Sequence, residues 1–326
     1  MIAVCGTHGK SSTTAMVAKM LIDAGKDPSV VVGTKMKELN GRNWRMGQSD
    51  FFVVEACEYR RSFLHIHPSI VLLTNVDGDH FDAYGTIEEY RRAFVDFISL
   101  LPENGQVVLH GADRDAQAVA ARSKKTVVDA DVFLDVVLGT PGAHMRQNAQ
   151  LALALADVLS IDASVARTSL STFSGTWRRM QVKGTMDQDI VVIDDYGHHP
   201  VEIKATLAAM KEAYAGRRIV CVFQPHTHDR TVKLYADFVT CFSDADVVII
   251  PNIYVARSDI ETRLVDVDAF VRDIAQGSHV QALNGNDLRM TEQFLRKEVL
   301  RPHDVVITMG AGDITTLSDA LLGTSL

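Results

Sequence analysis

The sequence predicts an α/β protein built as two successive parallel-sheet units, the second the smaller, and three observations predict it. Short apolar runs alternate with amphipathic helical stretches along most of the 326 residues. The alternation breaks once, at FSGTWRR (173–179), and then starts again. Unusual polar residues gather just after the apolar runs, where open parallel sheets bind ligands. The expected division is 1–175 and 176–326, each long enough to enclose a core.

Taken in order, Ile2 to Cys5 reads as a buried strand, and Gly6-Thr-His-Gly9 as a tight turn. Lys10-Ser-Ser-Thr-Thr14 opens a helix whose apolar side is Ala15, Ala18, Met20 and Leu21, ended by Gly25. Strands follow at 51–54, closing on Glu55, and at 70–73, running into TNVDGDH (74–80). Tyr90, Phe94, Phe97 and Ile98 share a helix face, and 107–109 is a strand. Residues 127–138 give an ambiguous pattern, whereas 149–159 and 164–172 read as helices. In the second half strands are expected at 190–194, 219–223, 247–250 and 305–309. Helices are expected at 200–214, 232–242, 267–274 and 288–299, with a further segment at 280–283. No solenoid-period repeat or low-complexity tract is present.

Composition narrows the function. With 47% hydrophobic and 23% charged residues the chain is a typical globular sequence. A net charge of −8 without a basic run argues against nucleic acid as partner, and the apolar runs are too short to span a bilayer. Met1 starts directly on a strand without a secretory n-region, so a cytoplasmic location is the expectation. Cys5, Cys57, Cys221 and Cys241 lack C-x-x-C spacing and read as reduced thiols, Cys57 as a packed one in preference to a nucleophile.

The strand–turn–helix GTHGKSS (6–12) has the ingredients of a phosphate cradle. Glycines let backbone N–H groups face an anion, and the helix N-terminus adds partial positive charge. Lys10 would reach the β/γ-phosphates and the Ser11 hydroxyl would ligate Mg²⁺. Only two residues separate Gly6 from Gly9, against four in the Walker pattern, so a capped turn with a chance lysine stands as the alternative. Glu55 would be costly to bury unpaired. DGDHFD (77–82) has Asp82 where a calcium loop needs glycine, which excludes an EF-hand. His198-His199 and His226-x-His228 lack zinc-site spacing. Asp194-Asp195 could serve only to open the helix at Pro200, and Arg178-Arg179 could be a salt-bridged hinge. Two α/β units with their polar edges facing one another would describe a cleft.

These stretches together resemble the Mur ligases. GTHGKSSTT is similar to that family's GTHGKTTT loop, VVEACEYRRSFL to its EADE(S/Y)xxSFL segment, and TNVDGDHFDAYG to TNIExDHxDxY. FSGTWRRMQ is similar to FxGxxRRF(E/Q), DDYGHHP is letter-for-letter alike, and FQPHTHDRT and ITMGAGDI resemble FQPHxxxRT and GAGDI. The resemblance runs from Gly6 to Ile314. It implies a P-loop-type ATP-binding domain followed by a Rossmann-like domain that binds amino acid and nucleotide.

The implied chemistry is amide formation in peptidoglycan precursor synthesis: ATP phosphorylates a carboxylate, and an amine attacks the acyl phosphate. The implied partners are UDP-N-acetylmuramate and L-alanine, and the implied cofactors ATP and Mg²⁺. By resemblance, Gly6, Thr7, His8, Gly9, Lys10, Ser11 and Ser12 hold phosphate, while Ser11, Glu55 and His80 hold Mg²⁺. His144 and Asn148 contact adenine, Asp195 the ribose, and Arg178 and Arg179 the phosphate region. Tyr196, His198, His199, His226 and Arg230 line the incoming amino acid, with Arg230 pairing its carboxylate. Lys10, Glu55, His80, Arg179 and His198 are the catalytic set.

Some positions depart from the family pattern. Met145 stands for Asn in H-N-x-x-N, Cys57 for the Asp of EADE, and Thr227 for an Arg. Phe94 occupies the place of a lysine that most relatives carbamylate, as in the alanine-adding branch. The family also begins with a UDP-binding domain of about 100 residues, whereas Met1 here stands at the phosphate-loop strand. A tripeptide-adding ligase and a catalytically silent nucleotide-binding module are the competing expectations.

Overall fold

The computed structural model describes residues 1–78, 83–134, 137–255 and 264–324. It divides into two compact units, Met1–Trp177 and Arg178–Leu326, each an α/β layer structure.

The first unit is a seven-stranded sheet. Its strands are β1 (Ile2–Cys5), β2 (Ser29–Met36), β3 (Arg42–Arg45), β4 (Phe52–Glu55), β5 (Ile70–Leu73), β6 (Gln106–Leu109) and β7 (Thr126–Asp129), in the order β3-β2-β4-β1-β5-β6-β7. All pairings are parallel except β2 with β3 at the edge. The helices are α1 (Lys10–Asp23), α2 (Ile87–Ser99), α3 (Arg114–Ser123), α4 (Ala143–Val158) and α5 (Ala163–Ser171). Alternation along β1 explains its unbroken apolar run. Ile2 and Val4 join the core beneath α1, α4 and α5, whereas Ala3 and Cys5 join the one beneath α2 and α3. With both faces covered, no position of the strand calls for a polar side chain.

Trp177 closes this unit on β2. Its N–H donates to Lys35 O (3.1 Å), its carbonyl accepts from Thr34 Oγ1 (2.8 Å), and the Lys35 ammonium lies 5.1 Å from its ring.

The second unit is a six-stranded sheet of β8 (Gln181–Met186), β9 (Ile190–Asp195), β10 (Ile219–Phe223), β11 (Val247–Pro251), β12 (Gln281–Asn286) and β13 (Val305–Met309). The order is β12-β11-β10-β13-β9-β8, parallel apart from the β8–β9 edge pair. Its helices are α6 (Pro200–Ala213), α7 (His228–Lys233), α8 (Tyr235–Phe238), α9 (Val267–Ser278), α10 (Leu288–Phe294) and α11 (Thr315–Leu321). Val191 and Ile193 face the α6, α8 and α9 side, and Ile190 and Val192 face α11.

Three expectations change. The single helix expected at 232–242 is two short ones, because the backbone leaves helical geometry at Leu234 (φ −107°) and the Thr227 side chain starts α7 early by accepting Arg230 N–H. The helix expected from 149 begins at Ala143, because Met145 is the one apolar core residue among His144, Arg146, Gln147 and Asn148 and makes no stripe by itself. Cys57 is exposed while Cys5, Cys221 and Cys241 are buried, which overturns the packed reading. As the chain leaves β4, Ala56 and Glu58 turn inward and Cys57 turns outward.

Candidate active site

In each unit the parallel strands end at one edge, and the expected polar residues follow those ends. In the first unit, β1 leads into Gly6–Gly9 and the start of α1. Gly9 is the N-cap at φ 80°, and no side chain caps the helix. Its orphan N–H groups and dipole thus suit an anion. A Cβ at Gly9 would stand 2.5 Å from Asn148 Oδ1, so α4 reaches the phosphate loop and only glycine fits between. The loop is braced from β5. Thr7 N–H donates to Asn75 O (3.1 Å), His8 N–H to Asn75 Oδ1 (2.9 Å), and Thr74 Oγ1 to His8 O (2.6 Å).

Lys10 curls back over this loop. Its ammonium donates to Gly6 O (2.6 Å), Thr7 O (2.9 Å) and Glu58 Oε1 (2.9 Å). Burial pulls its pKa down, but the charge and hydrogen bond of Glu58, with Glu55 behind it, more than offset that and hold it above the ordinary lysine value. Glu58 is fully buried, and its backbone carbonyl accepts from Tyr84 Oη. Beside it, Ser11 Oγ donates to Glu55 Oε1 at 2.9 Å. Although Cys57 as a residue is exposed, the protein around its thiol strips away part of its hydration, and with the Glu58 and Glu55 charges nearby this pushes its pKa up and so disfavours a nucleophilic role.

In the second unit, Asp194 and Asp195 end β9. Asp194 accepts from Arg178 Nε (3.1 Å), Thr308 Oγ1 (3.0 Å) and Thr315 Oγ1 (2.7 Å). The same guanidinium donates to Gly310 O (2.5 Å) and Gly312 O (3.2 Å), beyond β13. Asp195 accepts from the N–H groups of Met180 and Gly197, both at 2.7 Å. Burial raises its pKa, opposed chiefly by the Arg179 charge. Arg179 is half-buried, with its guanidinium 5.0 Å from the Tyr196 ring centroid.

Tyr196, His198 and His226 form an aromatic chain that continues to Tyr254. Ring centroids are 5.5 Å apart for Tyr196–His198, 6.2 Å for His198–His226 and 5.4 Å for the stacked His226–Tyr254 pair. His198 Nδ1 lies 3.2 Å from Tyr196 O. His199 instead caps α6, its side chain accepting from Val201 N–H while Glu202 reaches back to the cap. Arg230 lies on α7. A polar depression at the opposite ends of β10–β12, lined by Lys211, Arg217, Asp244, Asp246 and His279, is bridged by its own Lys211–Asp244 pair (3.0 Å).

The expected residues of the first unit thus lie on the loop after β1, the start of α1, the end of β4 and α4, and those of the second just before β8, at the end of β9, on the loops after β9 and β10, and on α7. His80 lies outside the described residues. Glu58 and Tyr254 were missed. The second glutamate of EACE was a usable signal for Glu58, whereas nothing local marks Tyr254, three residues past β11. Met145 packs in the core at 4% exposure, which accounts for its apolar side chain. Among the described residues no cluster of three or more His, Cys, Asp or Glu is placed to hold a metal, and no helix is long and apolar enough to cross a membrane.

A glycine loop with a half-buried lysine curled over it, followed by a second α/β unit with its own polar edge, is the arrangement of a two-unit nucleotide-dependent enzyme. The chain belongs to the Mur ligase family. Residues 4–134 match the Mur ligase middle domain and 178–312 the Mur ligase glutamate ligase domain. It is 39% identical to the UDP-N-acetylmuramate–L-alanine ligase of Geobacter sulfurreducens, covering 98% of this chain and 75% of that one. It is 35% identical to the ligase of the same name from Clostridium tetani, with the same coverages. The crystal structure of the Thermotoga maritima UDP-N-acetylmuramate–alanine ligase superposes with a TM-score of 0.79 at 26% identity, covering 99% of this chain and 74% of that one.

Proposed function

We propose that this chain carries the ATP-dependent ligase activity that joins L-alanine to UDP-N-acetylmuramate in peptidoglycan precursor synthesis. The carrying observation is the Lys10–Ser11–Glu55 group at the uncapped start of α1. It supplies one positive charge, one hydroxyl and one carboxylate where a helix N-terminus already favours phosphate. The 35–39% identity to L-alanine ligases supports the substrate pair.

In this reading the γ-phosphoryl of ATP passes to the muramate carboxylate, the alanine amine attacks the acyl phosphate, and phosphate leaves. In-line transfer of this kind asks the protein mainly for positioning and charge neutralisation. Lys10 exchanges its loop carbonyls for phosphate oxygens. Asn148, already against Gly9, and His144 one turn earlier on α4 take the adenine side. In the second unit Asp195 takes the ribose and Arg179 the transferring phosphoryl, while Arg178 keeps the loop after β13 in place. Tyr196, His198, His226 and Arg230 receive the amino acid.

Mg²⁺ fits the residues present. A hydroxyl and a carboxylate 2.9 Å apart are hard oxygen donors, and Mg²⁺ takes few protein ligands beside phosphate and water. Ser11 and Glu55 would hold it, with His80 as the expected third residue, and it would neutralise charge on the phosphates. Release of ADP and phosphate by the full-length gene product, dependent on both UDP-N-acetylmuramate and L-alanine, is the expected result. Turnover with a tripeptide in place of L-alanine, or ATP binding without turnover, would overturn the reading.

A further inference from the structure

We propose that Gly33 is a positioning residue whose missing side chain is the space that holds the Glu55 carboxylate in its working place. The proposal rests on the reading of Glu55 as the carboxylate of the metal–phosphate site.

Gly33 lies on β2, which pairs with β4, the strand that Glu55 ends. Its N–H donates to Glu55 Oε2 at 2.5 Å, while Ser11 Oγ holds Oε1 at 2.9 Å. Donors from two elements thus grip the two carboxylate oxygens, and the remaining lone pairs stay available. A Cβ on Gly33 would stand 2.7 Å from Oε1, 2.9 Å from Oε2 and 3.0 Å from Cδ. No side chain fits there while the carboxylate keeps its place.

Two facts separate this from an ordinary structural glycine. Gly33 is not among the glycines with positive φ, so its strand backbone accepts alanine without strain. The three nearest atoms that an alanine methyl would meet all belong to the far end of one flexible side chain. A methyl group is therefore accommodated by swinging Glu55 aside, with no movement of the sheet. Glycine is otherwise a poor choice inside a strand, since it adds conformational entropy to the unfolded chain and packs nothing. Val30, Val31 and Val32 precede it in the same strand. The carboxylate is what the position serves.

The test compares Gly33→Ala, Glu55→Asp, the double variant and Glu55→Gln in the full-length protein. Thermal midpoint, Mn²⁺ affinity in the presence of ADP by titration calorimetry, and ligase rate are measured for each. Gly33→Ala is expected to melt at or above the wild-type midpoint yet bind Mn²⁺ about 10- to 100-fold more weakly, with a parallel loss of rate. Aspartate is one methylene shorter and withdraws from the added methyl, so in that background Gly33→Ala is expected to cost little more. Wild-type Mn²⁺ affinity in Gly33→Ala, an equal penalty in both backgrounds, or a midpoint well below wild type would each overturn the proposal. Should Glu55→Gln itself bind Mn²⁺ normally, the reading of Glu55 falls, and the proposal with it. An impaired Glu55→Gln beside a normal Gly33→Ala sinks the proposal alone.

Discussion

Each unit holds an ion pair beside its polar edge, and the two pairs are built differently. Lys10–Glu58 joins a compact ammonium to one carboxylate oxygen, and its other contacts are the carbonyls of its own loop. Arg178–Asp194 joins a planar guanidinium to a carboxylate already held by Thr308 and Thr315, while its other nitrogens clamp Gly310 and Gly312. A lysine stem can rotate its charge to a new acceptor, whereas an arginine fork in several simultaneous bonds is pre-organised to stay. The first pair stores a mobile charge. The second is a strut.

The comparison predicts opposite phenotypes. Lys10→Met should lower the ADP-release rate by at least about 10²-fold, as removal of a charge that stabilises the transition state does. Retention of most of the rate would end the mobile-charge reading. Arg178→Ala should show mainly in stability, costing about 3–5 kcal/mol in urea unfolding because Asp194 is left buried and unpaired. A fully stable variant would mean that the strut holds nothing.

Glu58→Gln sharpens the first half through pH. Glu58 raises the Lys10 pKa against burial, so without its charge that pKa falls and the alkaline limb of the rate profile should move to lower pH. The linkage has the same sign: stability from the pair is present below the ordinary lysine value of 10.5 and lost as pH rises through the higher folded value. An unmoved alkaline limb would show that Glu58 does not set the Lys10 charge. The smallest effect concerns the turn after Glu58, where Arg60 and Arg61 are both left-handed (φ 49° and 59°). Arg60→Gly should stabilise by about 1 kcal/mol, read as a higher urea midpoint, by relieving that strain.

How much of this was legible depends on burial. β1, β5, β10 and β13 carry side chains packed on both faces, so each is a plain apolar run. β3 and β8 are edge strands, mostly half-buried or exposed, and RNWR and QVKGTM show no such run. β2 alternates buried with exposed from Val30 onward and was missed because its polar positions read as loop. α3 was missed for a related reason, since only Ala116, Val119 and Ala120 are buried. In the candidate site, Gly6 to Ser12 was legible because one short stretch contains all of its chemistry. Tyr254 was not, because it meets His226 only through an isolated pairing of two loops.

The sequence alone determined which chemistries are available: a glycine turn before a lysine and a hydroxyl, a carboxylate closing an apolar strand, histidines after DDYG and FQP. These are local facts, written in residue type and spacing. Only the tertiary structure decided which of them meet. Lys10 finds Glu58 across 48 positions, Gly9 makes room for Asn148, and Gly33 leaves room for the Glu55 that Ser11 also holds. The reason is physical. Parallel strands bring residues distant in sequence to one edge, and there close packing settles whether a charge is bound, freed or held in place.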